Sequence, residues 1–253
     1  MKVSLIRNAT LVISVNDKKI LVDPMLGEKG VLGKFPWTDD ARLNPLVDLP
    51  FSELELNNLI GQIDAVLLTH LHPDHWDFKA HQLIPKNMPI YCQSEDTPMI
   101  EGLGFNNIIP VAEKSVFSGI EIYRTEGKHG LGEVGGLMGK VSGFILRHNE
   151  ETLYVAGDTV WCDDVINAID KFKPTFIIVN GGSAKFNVGE HVTMNVSDIK
   201  ELLNYYTNHK IAVVHLETVS PTVENREYIL NFLSVNNILE RVIIPKDGEE
   251  FHV

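Results

Sequence analysis

Residues 69–77 read THLHPDHWD and set His70, His72, Asp74 and His75 within six positions. Neutral imidazole and carboxylate are the donors that hold Zn²⁺, Mn²⁺ and Fe²⁺ in proteins. The preceding DAVLL is an apolar run of the kind that forms a buried strand. In extended backbone alternate residues face the same way, so His70 and His72 point together. Pro73 then turns the chain, and Asp74 and His75 fall in a first helical turn. This spacing aims two imidazoles at one ion and the Asp74–His75 pair at a second nearby.

Other apolar runs end on the same residue types. IEIYRTEGK leads to His129, LYVAG to Asp158 and IAVVH to His215. Strand ends gather at one edge of a sheet, so these side chains are expected to converge with the histidine cluster. The expected split gives His70, His72 and His129 to one ion and Asp74, His75 and His215 to the other, with Asp158 bridging both. A bound metal lowers the pKa of its water from ~15.7 towards ~7, which makes a bridging hydroxide a nucleophile at neutral pH. The remaining histidines, His81, His148, His191, His209 and His252, read as surface or structural groups.

The elements that must position these residues are legible as well. KVSLIRN, TLVISV and KILVDP read as strands, the last two joined at NDKK. A poorly periodic stretch from Met25 to Pro50 follows, long enough to suggest a functional loop. Phe35 and Trp37 within it either line a pocket or staple the loop to the core. SELELNNLI reads as a helix capped by Ser52, and Trp76–Leu83 as another. PIYCQ, a helix from about Glu95 and NIIPV form a βαβ unit. SVFSGIEIYRTEG is strand-rich, and KVSGFILRHNEETLYVAGD reads as a hairpin turning at HNEE. The C-terminal part alternates helix and strand: CDDVINAIDKF, TFIIVNGG, VSDIKELLNYYTN, KIAVVHL, ENREYILNFLSV and RVIIP. With no linker and no short repeat, residues 1–253 read as a single α/β domain.

Composition narrows the function. The formal charge is −12, which disfavours non-specific adhesion to nucleic acid or anionic membrane. The two cysteines, Cys92 and Cys162, are far apart and suit a reducing compartment. There is no signal-peptide pattern and no apolar run of membrane-spanning length, so the cytoplasm is expected. GLGEVG matches a dinucleotide-type glycine pattern, but it reads as followed by two more glycines and then a strand where that pattern needs a helix, and so as a flexible loop beside His129. GLMGK lacks the first Gly and the final Ser or Thr of a phosphate loop. Cys162 lacks a dedicated base and reads as a packed thiol.

THLHPDHWD resembles the signature of the metallo-β-lactamase-fold superfamily. GKHG, AGDT and VVHLE follow in the order of that family's remaining ligands, and the likeness runs from ILVDP to the terminal IIPKDGEE. It looks closest to the ascorbate-6-phosphate lactonase-like metal-dependent hydrolases. The resemblance implies a four-layer αββα sandwich with a dinuclear site at one edge, between the sheets. One position departs. That branch often carries a Gly-His-Ala/Ser-type turn between its first strands, whereas this chain has RNAT, with Asn8 where the His would stand. The departure leaves the lactonase substrate open.

The expectation is therefore a hydrolase with two divalent ions, Zn²⁺ or Mn²⁺ first and Fe²⁺ as a further candidate. It would direct a metal-bound hydroxide at a small ester, lactone or phosphoester. Asp74 would orient the nucleophile and pass its proton to the leaving group. Asp23 is expected to brace a ligand imidazole, and Glu217, on the same strand face as His215, to brace the site or contact substrate. The alternatives are a phosphodiesterase or RNA-processing nuclease, a di-iron oxidoreductase and a non-catalytic metal-binding protein. The nuclease needs a basic insert that is absent here, and the oxidoreductase a flavin domain for which there is no room. The partner is a small molecule, with neither membrane nor nucleic acid expected; a homo-oligomer stays open.

Overall fold

The computed structural model describes residues 1–207 and 209–253. The chain opens with β1 (Lys2–Arg7), β2 (Thr10–Val15) and β3 (Lys18–Val22), paired antiparallel. Asn16 and Asp17 both take positive φ between β2 and β3, the left-handed pair that a two-residue hairpin requires. Next come β4 (Ala65–Leu67), β5 (Ile90–Cys92) and β6 (Ile108–Pro110), each parallel to its predecessor in the sheet.

A second sheet repeats this plan. A meander of β7 (Lys114–Phe117), β8 (Ile120–Glu126), β9 (Ser142–His148) and β10 (Glu151–Val155) is followed by parallel β11 (Phe176–Asn180), β12 (Ile211–Val214) and β13 (Val242–Ile243). The terminal β14 (Glu250–His252), unread in the sequence, pairs with the free edge of β1. Each sheet thus has seven strands.

Parallel neighbours need crossovers, and these supply the outer layers. Helices α1 (Glu53–Ile60), α2 (Phe78–Leu83) and α3 (Thr97–Gly102) belong to the first sheet. Ser52 starts α1 through a reciprocal capping box with Glu55. The short α4 (Gly132–Met138) stands apart, while α5 (Asp163–Phe172), α6 (Val196–Tyr205) and α7 (Arg226–Val235) belong to the second sheet. Three apolar cores follow. Val3, Leu5, Ile13, Phe144 and Leu146 fill the space between the sheets. Leu56, Ile60 and Ile100 pack on one outer face, and Ile169, Ile199, Leu202 and Ile229 on the other. The order is αββα. No described helix is long and apolar enough to cross a membrane.

One sequence expectation is corrected here. The glycine-rich stretch after His129 is not a flexible loop: Gly132–Met138 is helical. Its glycines lower helix propensity by roughly 1 kcal/mol each relative to alanine. Packing overrides that, because Val134 and Met138 are buried against Ala184 and Val192. A Cβ on Gly135 would also lie 2.4 Å from the Gly130 carbonyl oxygen, so this glycine is needed for close approach rather than for a phosphate.

Candidate metal centre

The ends of β4, β10 and β12 and the segment after β8 meet at one edge of the two sheets, and there the structure brings seven side chains together. His70, His72 and His129 form one group, Asp74, His75 and His215 a second, and His70, His75 and Asp158 a third that overlaps both. Within each group the donor atoms lie within 4.8 Å of one another. All but His72 are buried. Asp158 Oδ2 is 3.3 Å from His75 Nε2, 3.5 Å from His129 Nε2 and 3.8 Å from His215 Nε2. Asp74 Oδ2 is 3.1 Å from His215 Nε2 and 3.6 Å from His75 Nε2.

The outward ring nitrogens of His70, His75 and His129 are fixed by neighbours, the support that metal-binding histidines normally have. His129 Nδ1 lies 2.8 Å from the Val192 carbonyl oxygen, which only accepts, so Nδ1 carries the proton. His70 Nδ1 lies 3.0 Å from Thr69 Oγ1, and that hydroxyl donates to Asp23 Oδ2 at 2.6 Å. His75 Nδ1 donates to the same Asp23 oxygen at 2.9 Å. In neutral rings each of these arrangements leaves a bare lone pair on the inward nitrogen.

Those lone pairs face one another. The inward nitrogens of His70 and His129 both meet His72 Nδ1, at 3.0 Å and 3.3 Å. Burial holds all three imidazoles in the neutral form, His129 being pushed down to about 4. On the other side, burial pushes Asp74 and Asp158 up, but the surrounding histidines outweigh it and hold both carboxylates well below their ordinary range. His75 Nε2 is buried without a hydrogen-bond partner. Although burial works against it, His75 is driven well above its ordinary range by Asp158, Asp74 and Asp23. Converging lone pairs beside buried carboxylates fit a divalent cation, which supplies the positive charge that protein groups alone provide only by protonating a buried imidazole.

Supporting residues fall into two kinds. Asp23 is buried at the end of β3, and its other oxygen accepts the Thr69 amide at 2.8 Å. Glu217, by contrast, is committed to Arg226, accepting from its backbone amide at 2.8 Å and its guanidinium at 2.6 Å, and it does not line the cavity at the cage. Asn8 donates to the Asp74 carbonyl oxygen at 3.1 Å, and its own carbonyl oxygen accepts the His215 amide at 2.9 Å.

Sequence reading missed Asn180, whose amide donates to Asp158 Oδ1 at 2.6 Å. It ends β11 just as the metal-donor candidates end their strands, so the same signal was available. It also missed Arg7. This fully buried guanidinium reaches the carbonyls of Met25, Gly27 and Val47 at 3.0, 2.8 and 3.0 Å, pinning both roots of the long early loop. Burial lowers its pKa to about 10.

A cavity of about 280 Å³ opens on the cage. His72, Asp74, His129, Asp158 and His215 form its floor. Phe35 and Trp37 from the early loop, Leu137 and Met138 from α4, and Phe186, Val192 and Val219 form its walls. Among the described residues no Lys or Arg lines it.

Residues 18–216 match the family model described as the beta-lactamase superfamily domain. The chain belongs to the metallo-β-lactamase-fold superfamily. It is 40% identical to the UPF0173 protein YddR of Bacillus subtilis (strain 168), over 99% of both chains. A crystal structure of a possible metal-dependent hydrolase from Veillonella parvula DSM 2008 superposes with a TM-score of 0.95 at 33% identity, covering 100% of this chain and 99% of the other. An isothiocyanate hydrolase from Delia radicum gut bacteria superposes with a TM-score of 0.93 at 36% identity, with the same coverage. The αββα architecture is that of the superfamily. The chain is accordingly a metal-dependent hydrolase, in line with its relatives and its own cluster of donors.

Proposed function

We propose that this enzyme hydrolyses a small, uncharged electrophile bearing an apolar group, using two divalent ions held by His70, His72, Asp74, His75, His129, Asp158 and His215. The observation that carries the reading is the cavity: apolar walls rise directly from the cage, and among the described residues no Lys or Arg lines them. Small-molecule sites are mostly apolar with a few convergent polar groups. A phosphoester would bring charge that only the floor could meet, so esters, lactones and heterocumulenes such as isothiocyanates rank above it. The likeness to an isothiocyanate hydrolase supports placing that class first.

When bound, the ions supply Lewis acidity, lowering the pKa of water and polarising the electrophile. Zn²⁺ and Mn²⁺ are the first candidates and Fe²⁺ the third. The protein's own groups do the rest. Asp74 lines the cavity as a charged acceptor, with Asn8 and His215 fixing it; it orients the attacking water and passes a proton to the leaving atom. Asp158 is held by Asn180 between the two groups of imidazoles. The apolar walls seat the unreactive part of the substrate and exclude bulk water. The acidic charge, together with the absence of Lys and Arg from the cavity lining among the described residues, argues against RNA as substrate. The core shared by both sheets supports residues 1–253 acting as one unit, and the cysteine usage suits the cytoplasm.

The test strips the protein of metal, restores Zn²⁺, Mn²⁺ or Fe²⁺ separately, and assays benzyl isothiocyanate, phenyl acetate, a γ-lactone and a phosphodiester. Metal-restored turnover of an uncharged substrate with little salt dependence is expected. Preferred cleavage of the phosphodiester, or salt-sensitive RNA binding with metal-dependent cleavage, would replace this reading with the nuclease one.

A further inference from the structure

Trp37 is an unusual residue to leave half in solvent. It is 50% exposed, yet it lines the cavity, and its φ of +58° lies in the left-handed region that bulky residues seldom occupy. Strained, exposed aromatic groups of this kind persist where the surroundings hold them for a purpose. Three contacts hold this one. Its carbonyl oxygen accepts the Asn187 amide at 2.7 Å. The Asn187 side chain donates to Asp39 Oδ1 at 2.9 Å. Its indole meets Phe186 edge-on, with ring centroids 6.5 Å apart.

The two rings stand on different supports. Trp37 sits near the tip of the loop whose roots Arg7 pins. Phe186 packs on the small core of Val134, Met138 and Val192, and Val192 also fixes His129. One ring is therefore continuous with the metal centre and the other hangs from a tethered roof. Both border a cavity whose size is close to the lower end of the ~300–1,000 Å³ usual for ligand sites.

Resting on the hydrolase reading, we infer that Trp37 and Phe186 form a clamp that selects substrates by their apolar group and favours a flat aromatic one. Aromatic pairs prefer edge-to-face or offset contact, so an aryl ring entering beside this pair gains contacts that a methyl group does not. The Asp39–Asn187–Trp37 contacts set the opening of the clamp. Trp37, Phe186 and Asn187 are thus specificity or positioning residues, and none of them belongs to the metal cage.

The experiment measures kcat and KM of the metal-loaded enzyme for methyl and 2-phenylethyl isothiocyanate, alongside calorimetric binding of 2-phenylethanol. Trp37→Ala and Phe186→Ala should each raise KM for the aryl substrate by about 10-fold or more, the discrimination expected of hydrophobic contacts on the scale of a methylene or larger. For the methyl substrate, which reaches fewer contacts with the pair, the rise in KM should be several-fold smaller than for the aryl one. Trp37→Phe should restore most of the loss. Trp37→Gly relaxes the left-handed backbone, so lost aryl affinity there is not a product of strain. Asn187→Ala should give an intermediate rise in KM with both rings intact. If Trp37→Ala and Phe186→Ala leave aryl and methyl substrates equally affected, the clamp is wrong. If neither isothiocyanate is turned over but 2-phenylethanol binds wild type and not Trp37→Ala, the clamp stands and the proposed reaction falls. Equal binding of 2-phenylethanol to wild type, Trp37→Ala and Phe186→Ala overturns the clamp whatever the reaction.

Discussion

The two sheets share a plan but serve the site differently. The first half places His70, His72, Asp74 and His75 on one turn after β4, tightened by the His75 amide on the His72 carbonyl at 2.9 Å. The second half delivers His129, Asp158 and His215 from three separate strand connections, each relying on sheet register. Local chain geometry organises the first set, and tertiary structure must organise the second. Asp158 lies where the two contributions meet.

The strongest way to break this comparison is at that junction. Asp158→Ala removes the carboxylate between both groups of imidazoles, and activity should fall by well over the ~100-fold that marks the upper range for supporting residues. Metal stoichiometry, measured by elemental analysis, should fall with it. Asp23→Ala loosens the first half alone, through His75 and Thr69, and should cost ~10–100-fold. Equal losses in the two variants at unchanged metal content would mean that the halves do not divide the work in this way.

Register dependence in the second half is tested by Gly157→Ala. Gly157 has φ +70°, and a Cβ there would lie 2.7 Å from the Ser142 carbonyl oxygen. The left-handed conformation alone costs about 1–2 kcal/mol for a residue with a Cβ, and the clash adds to it. A lower melting temperature together with lost metal affinity is expected; wild-type behaviour in both would sever the link between register and site. The smallest effect belongs to Ser52→Ala, which removes the cap of α1 on the outer face of the first sheet. It should cost about 1 kcal/mol in denaturant unfolding and leave kcat/KM unchanged.

The same contrast explains what could be read from the residues. THLHPDHWD is contiguous, so its chemistry was visible without knowing the fold. His129, Asp158 and His215 became candidates only because each ends an apolar run, and Asn180 was overlooked although it does the same. Alternating and periodic stretches such as TLVISV and DDVINAIDKF revealed β2 and α5 because local pattern and tertiary burial agree there. They disagree in α4, where three glycines argue against a helix that Val134 and Met138 stabilise by packing on residues some fifty positions further along the chain. Arg7 was silent for a similar reason. Its three partners are backbone carbonyls, which carry no side-chain signature.

Arg7 also has a consequence for how the enzyme can change. By reaching carbonyls at both roots of the early loop, its guanidinium acts as a non-covalent cross-link that closes a polymer ring from inside the protein. The ends of that ring are held whatever the tip contains. Doubling the length of a flexible loop adds only about 0.6 kcal/mol of closure entropy, so insertions and substitutions between Gly30 and Leu43 are cheap for the fold. On the proposed reading, one wall of the cavity over the cage is thereby carried by a short stretch of chain that can be rewritten without disturbing the floor beneath it.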